Sequence, residues 1–191
     1  GDDVLTQMDV IKTEVLKNPD VLEVTTSARM MGETLGVNAF PVENMAGEMV
    51  TTTVNNTMVG PDFLEVMKVE LLSGRSFGQR LITDIGTNVI VNEALVNLMG
   101  WGDQALGKKI RDGRVIGVVQ DFHFSSLHNP IEPFAMISFP AQLPDDVPEE
   151  QKPYMARSLV LSISSENVRE TLGFLEEKII GFDPRHPFEY R

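Results

Sequence analysis

Three side chains near the middle of the chain have the right types to do chemistry together: Asp121, His123 and His128, with Ser125 and Ser126 between the histidines. A carboxylate and two imidazoles suit zinc and similar ions. On a strand, residues 121 and 123 would share one face. The step from His123 to His128, interrupted by Ser-Ser, matches no standard ligand spacing. A hydrogen-bonded aspartate with histidines at a strand end is the more ordinary arrangement. The second option is a serine nucleophile, Ser125 or Ser126 with His128 and Asp121, since triads are defined by geometry and not by chain order. No G-x-S-x-G elbow presents either serine. Paired carboxylates at Asp145-Asp146 and Glu149-Glu150 fall in a proline-rich stretch, where burial cannot raise a pKa. There is no Walker A and no G-x-G-x-x-G pattern. The residues alone therefore point away from an enzyme, and they imply no metal and no cofactor.

Charge and composition narrow the partners. The 191 residues carry 16 Lys and Arg against 28 Asp and Glu, a formal charge of −12. Nucleic acid needs a basic face and an anionic membrane surface repels this sign, so neither is an expected partner. The absence of cysteine removes disulfides, thiolate metal sites and cysteine nucleophiles, and it fits the cytosol and a bacterial periplasm equally. No run approaches the ~18 apolar residues of a membrane span, and no signal peptide is visible. The opening Gly1-Asp2-Asp3 lacks a Met and reads as the start of a soluble domain cut from a larger protein.

The elements that must position these residues alternate between helix and strand. Val4, Met8, Ile11 and Val15 fall at helical spacing, which predicts an amphipathic helix over 3–17, ended by Asn18-Pro19. Residues 21–27 read as a strand with Leu22, Val24 and Thr26 on one face. Residues 28–47 show no clean period, and Met30, Met31 and Met45 are read as core filling in preference to a partner surface. Residues 49–59 form a second strand. Pro61 suits the first position of a short helix carrying Phe63, Val66 and Met67. Residues 69–77 read as a strand followed by a Gly74-Arg75 turn, in which Arg75 makes an ion pair or caps a carbonyl.

Asn88 to Val91 is a strand, Asn92 an N-cap, and Gly100 the stop of a helix through Met99, with Trp101 anchoring it in the core. Lys108, Lys109 and Arg111 mark a solvated turn. Residues 115–119, VIGVV, make a short β-branched run that fits a strand buried on both faces. Residues 134–139 are extended, and 140–153, with four prolines, form an exposed loop. SLVLSIS over 158–164 alternates. Asn167 and Glu170 have capping-box spacing before a helix marked by Val168, Leu172, Leu175 and Ile179, which Gly181 and Pro184 close. The result is an α+β chain whose two ends form one subdomain, with the middle as an insertion.

The order of three segments goes further than any residue. VGPDFLEVMKVELLSGRSF, NVIVNEALVNLMGWGDQALGKKI and RVIGVVQDFHFSSLHNPIEPFAMIS together resemble the extracytoplasmic domain of MacB/FtsX-type ABC transporter permeases, the MacB-like periplasmic core domain. The features that carry the likeness are Phe63, Gly74-Arg75 and Phe77 around a serine, Asp84, Val91-Asn92-Glu93, Leu98, Gly100-Trp101 and Gly107-Lys108. Gly117-Val118-Val119, Asp121-Phe122-His123-Phe124 and Leu127-His128 continue it, and Phe182-Asp183-Pro184 through Pro187-Phe188 resembles the segment leading back to the membrane.

This resemblance implies a two-lobed fold. A porter-like lobe would comprise 1–58 and 156–191, and a sabre-like lobe inserted within it would comprise 59–155. It also implies a place between the first two transmembrane helices of a permease in the bacterial inner membrane, on the periplasmic side. The implied job is to carry ATP-driven conformational change across the membrane, for export of a substrate or action on a partner, without catalysis in this domain. Implied partners are a cytoplasmic ATPase subunit, a second permease subunit in a homodimer or heterodimer, and an extracytoplasmic partner protein. Gly74, Arg75, Asn92, Glu93, Gly100, Trp101, Gly107, Asp121, Phe122, His123 and His128 become signature residues with structural roles. The rival reading is a membrane-anchored extracytoplasmic ligand-sensing domain, which a polar-lined buried pocket would favour.

Overall fold

A computed structural model describes residues 8–29, 36–78, 87–124, 130–138, 158–182, 184 and 188–190. The elements are α1 (Met8–Val15), β1 (Val21–Ser27), β2 (Gly36–Glu43), β3 (Met49–Val59), α2 (Phe63–Val66), β4 (Leu71–Gly74), β5 (Val89–Asn92), α3 (Glu93–Met99), β6 (Lys109–Ile110), β7 (Gly113–Val119), β8 (Phe134–Ser138), β9 (Ser158–Ile163) and α4 (Val168–Phe182). The architecture is mixed α+β, as the alternation of elements implies.

All nine strands join one mixed sheet in the order β2-β6-β7-β5-β8-β3-β1-β9, with β4 added on β7. β2 also pairs with β3, so β2, β6, β7, β5, β8 and β3 close into a ring. The long β3 makes the closure possible. Its first part pairs antiparallel with β2, from Met49↔Glu43 to Asn56↔Gly36, and its last part pairs parallel with β8, from Asn55↔Phe134 to Val59↔Ser138. Within the ring closure leaves no strand edge free, while β9 and β4, each paired on one side, remain as edges of the sheet.

Three apolar clusters follow. The first fills the ring, with Val42, Val54, Val89, Val91, Val115 and Ile137 around Leu95 and Trp101. The second lies beneath α2, where Phe63 packs with Ile90, Val119, Phe134 and Met136. The third joins the first and last described helices, with Ile11 and Val15 of α1 and Leu175 of α4 on Val21 and Val24 of β1.

Several local expectations need correction. β2 lies in the stretch that showed no period, because few of its side chains are buried and Pro41 interrupts it. Pro41 is tolerated because its carbonyl, not an N–H, serves the neighbour, accepting from Arg111 N at 2.9 Å. Leu22 is 55% exposed, since a register shift between Val21 and Glu23 turns it outward. Met45 is exposed at the β2–β3 turn and fills no core. Pro61 stands before the N-cap Asp62 and not inside α2. α4 runs through Gly181 to Phe182. Met30, Met31, Asp84 and the 140–153 loop lie outside the described residues.

Candidate functional site

The signature residues gather around α3. Asn92 ends β5 with its side chain fully buried, and its Oδ1 accepts from Leu95 N at 3.1 Å, capping α3 as expected. The same oxygen accepts from Phe134 N at 2.9 Å, and Nδ2 donates to Glu132 O at 3.0 Å. One amide thus ties the helix start to the entry of β8. At the next residue the pattern is reciprocal. Asp121 Oδ1 accepts from Ala94 N at 2.9 Å, and Glu93 Oε2 accepts from Asp121 N at 3.1 Å. Two carboxylates of plausible catalytic type are therefore employed in fastening β7 to α3, both at the helix N-terminus where negative charge is favoured.

The other end of α3 is fixed as firmly. Gly100 adopts φ 67°, ψ 23°, the left-handed stop a glycine permits. Trp101 is 1% exposed, and its Nε1 donates to Glu43 O at 2.8 Å. The side chain of Glu43 accepts from Lys109 N at 3.1 Å and meets Lys108 Nζ at 3.3 Å. Lys108 is therefore not in a solvated turn. Its side chain is 14% exposed and also donates to Asn44 O. The Lys109 amide, followed by the Lys108 ammonium, holds the Glu43 carboxyl below the usual carboxylate range against partial desolvation. Arg111 is exposed with its guanidinium 5.1 Å from the Phe40 ring centre.

Gly74 and Gly107 flank β7. At Gly74, φ is 79° and a Cβ would lie 2.2 Å from Ile116 O, so only glycine fits. Gly107 N donates to Val115 O at 2.8 Å, while its carbonyl accepts from Arg114 Nη1. Arg75 is exposed and donates from Nη1 to Ser76 O, and its backbone N donates to Ile116 O. Phe122 is half-buried and meets Phe124 and Phe134 edge-on, while those two stack with ring centres 4.3 Å apart.

Asp121 and His123 do not share a strand face, because β7 ends at Val119. His123 is exposed, whereas the Asp121 carboxylate turns to α3. Ser125, Ser126 and His128 lie outside the described residues. Among the described residues no three His, Asp or Glu side chains gather to hold a metal ion. Glu43 and Glu132, which anchor this arrangement, carried no signal in the sequence. Their roles depend on the neighbours brought by the ring.

Residues 5–171 match the model of the MacB-like periplasmic core domain. The chain belongs to this family. It is thus an extracytoplasmic domain of a MacB-like ABC transporter permease. Solved structures share the fold of this MacB-like domain. The periplasmic region of MacB from Actinobacillus actinomycetemcomitans aligns at TM-score 0.61 and 17% identity, covering 91% of this chain and 72% of that one. The extracellular domain of the ABC-type transporter YknZ from Gram-positive bacteria aligns at TM-score 0.59 and 12% identity, covering 91% and 82%. A permease-protein domain from Porphyromonas gingivalis aligns at TM-score 0.55 and 17% identity, covering 92% and 75%. No curated protein matches the chain in sequence. Among the described residues of the MacB-like domain, no helix is long and apolar enough to cross a membrane.

Proposed function

We propose that this domain is a mechanical element. A cytoplasmic ATPase drives a dimeric permease, and the domain carries that movement to the far side of the membrane, where a substrate is exported or a partner protein is acted on. The observation that carries this reading is the closed strand ring braced by Asn92, Glu93, Asp121 and Trp101. Such a body moves as one piece, because each brace is a directional hydrogen bond made in a buried or half-buried place. Force has a path into it, since α1 and α4, the first and last described helices, share one apolar cluster on β1 and β9.

The two-lobed division expected as 1–58 with 156–191 and 59–155 belongs to the same proposal, with its first boundary moved. By packing, the hairpin of β2 and β3 stands with the inserted part, because Val42 and Val54 share a cluster with Trp101. We therefore assign α1, β1, β9 and α4 to the driven side and the ring to the output side.

The test uses the whole permease with its ATPase. Leu98, 57% exposed on α3, is replaced by Cys in both subunits and bridged by bis-maleimides of graded length. Bridging should stop ATP-driven work while nucleotide binding persists. Undiminished work with the bridge in place would contradict the proposal.

A further inference from the structure

The sheet is unevenly knit. Eight aligned pairs join β2 to β3, and six join β1 to β9. Between these two well-paired regions, β1 meets β3 at the single pair Ser27↔Val59. Two backbone bonds make this pair, Ala28 N to Met58 O at 2.9 Å and Gly60 N to Thr26 O at 2.8 Å. The driven and output sides are thus joined by a single aligned pair; β2 and β6 also meet at one pair, Val42↔Ile110, but β2 is held in the ring by its eight pairs with β3 as well.

The interior at this seam differs from the rest. Of the seven buried polar residues among those described, Thr25, Thr26, Ser27, Thr57 and Ser138 lie on β1, β3 and β8 at or near it. The Thr25 hydroxyl is fully buried and has no hydrogen-bond partner. Gly60 passes so close that a Cβ there would lie 2.5 Å from Thr25 Oγ1 and 2.9 Å from Thr26 Oγ1. Hydroxyls rotate to suit whichever acceptor is near, so a hydroxyl-lined seam can exchange partners where an aliphatic one cannot.

Above the seam sits α2. Phe63 and Leu64 belong to a cluster that includes Val59, Ile90 and Val119 of the ring, and Val160 of β9 packs against it. Apolar contact is non-directional and tolerates small sliding, whereas a ladder of hydrogen bonds does not. A roof of this kind holds two bodies together while leaving them a relative tilt.

We propose that the β1–β3 seam is a joint. The unit of α1, β1, β9 and α4 tilts against the ring under the α2 roof, and the Thr25 hydroxyl, unpaired in this arrangement, gains an acceptor in the second one. This rests on the mechanical reading above and adds where the domain bends.

The test uses the 191-residue chain, whose lack of cysteine lets labels go only where they are placed. Spin labels at Val10→Cys on α1 and Leu98→Cys on α3, both at least half exposed, report the angle across the seam. The expected result is two distances, or one broad distribution. Thr25→Val should collapse it to a single narrow distance without lowering the melting temperature, because the hydroxyl it removes has no partner here. Thr25→Ser, which keeps the hydroxyl, should preserve both. A single narrow distance in the parent chain overturns the joint. So does an unchanged distribution in Thr25→Val, or a lowered melting temperature there, which would show the hydroxyl already bonded. None of these results touches movement of the ring as one piece, which is read between subunits.

Discussion

The indole Nε1 of Trp101 donates to the backbone carbonyl of Glu43 at 2.8 Å, linking the second residue after α3 to the last residue of β2. These positions are 58 residues apart in sequence, so the bond stitches the β2–β3 hairpin onto the rest of the ring. Trp101→Phe keeps an aromatic ring but leaves the carbonyl without its donor and part of the volume empty. It should cost about 2–3 kcal/mol in urea unfolding. A loss within error of zero would mean that the ring closes without this tie.

Asn92 serves three backbone groups with one side chain. Asn92→Ala should destabilise by roughly 2–4 kcal/mol, more than an ordinary cap, since Phe134 N and Glu132 O lose their partner as well. Asn92→Ser retains a capping oxygen but is too short for the other two groups, so its loss should fall between Ala and wild type. Equal stabilities for Ser and wild type would restrict Asn92 to simple capping.

Two glycines with nearly the same φ separate conformational strain from collision. Gly107→Ala, at φ 82° with nothing within 4 Å of the new Cβ, should cost about 1–2 kcal/mol. Gly74→Ala meets the Ile116 carbonyl as well and should cost roughly 3 kcal/mol or more. The same denaturation series measures both, and equal losses would contradict the close approach of β4 to β7.

Much of this was legible from local signals. Asn92, the apolar run before Met99 and Gly100 mark strand, cap, helix and stop within a dozen residues, and each is formed where expected. The alternation of 158–164 and the β-branched run of 115–119 also specified their strands. What stayed hidden depends on distant partners. β2 has little alternation of its own and exists because β3 and β6 flank it. Asp121 looked chemical because its type permits chemistry, and only the nearness of Ala94 N shows its carboxylate in use as a fastening. Lys108 looked solvated because sequence cannot place Glu43 beside it.

The Glu43 carboxyl is held below its ordinary range by the Lys109 amide and then by Lys108. A depressed folded-state pKa gives stability that is present above the unfolded value and lost as pH falls through the folded one. Glu43→Gln should therefore be less stable than wild type at neutral pH, and the gap should close on acidification below about pH 4. Thermal melts across pH test this, and a gap that widens in acid would contradict the assignment.

The central claim is that ATP in the cytoplasm moves this domain outside it. The most direct measurement places a spin label at Leu98→Cys in each subunit of the assembled permease and reads the distance between them with and without ATP. A distance that shifts on ATP addition, and fails to shift when the ATPase cannot bind nucleotide, is the predicted result. A distribution identical in all nucleotide states would contradict the account.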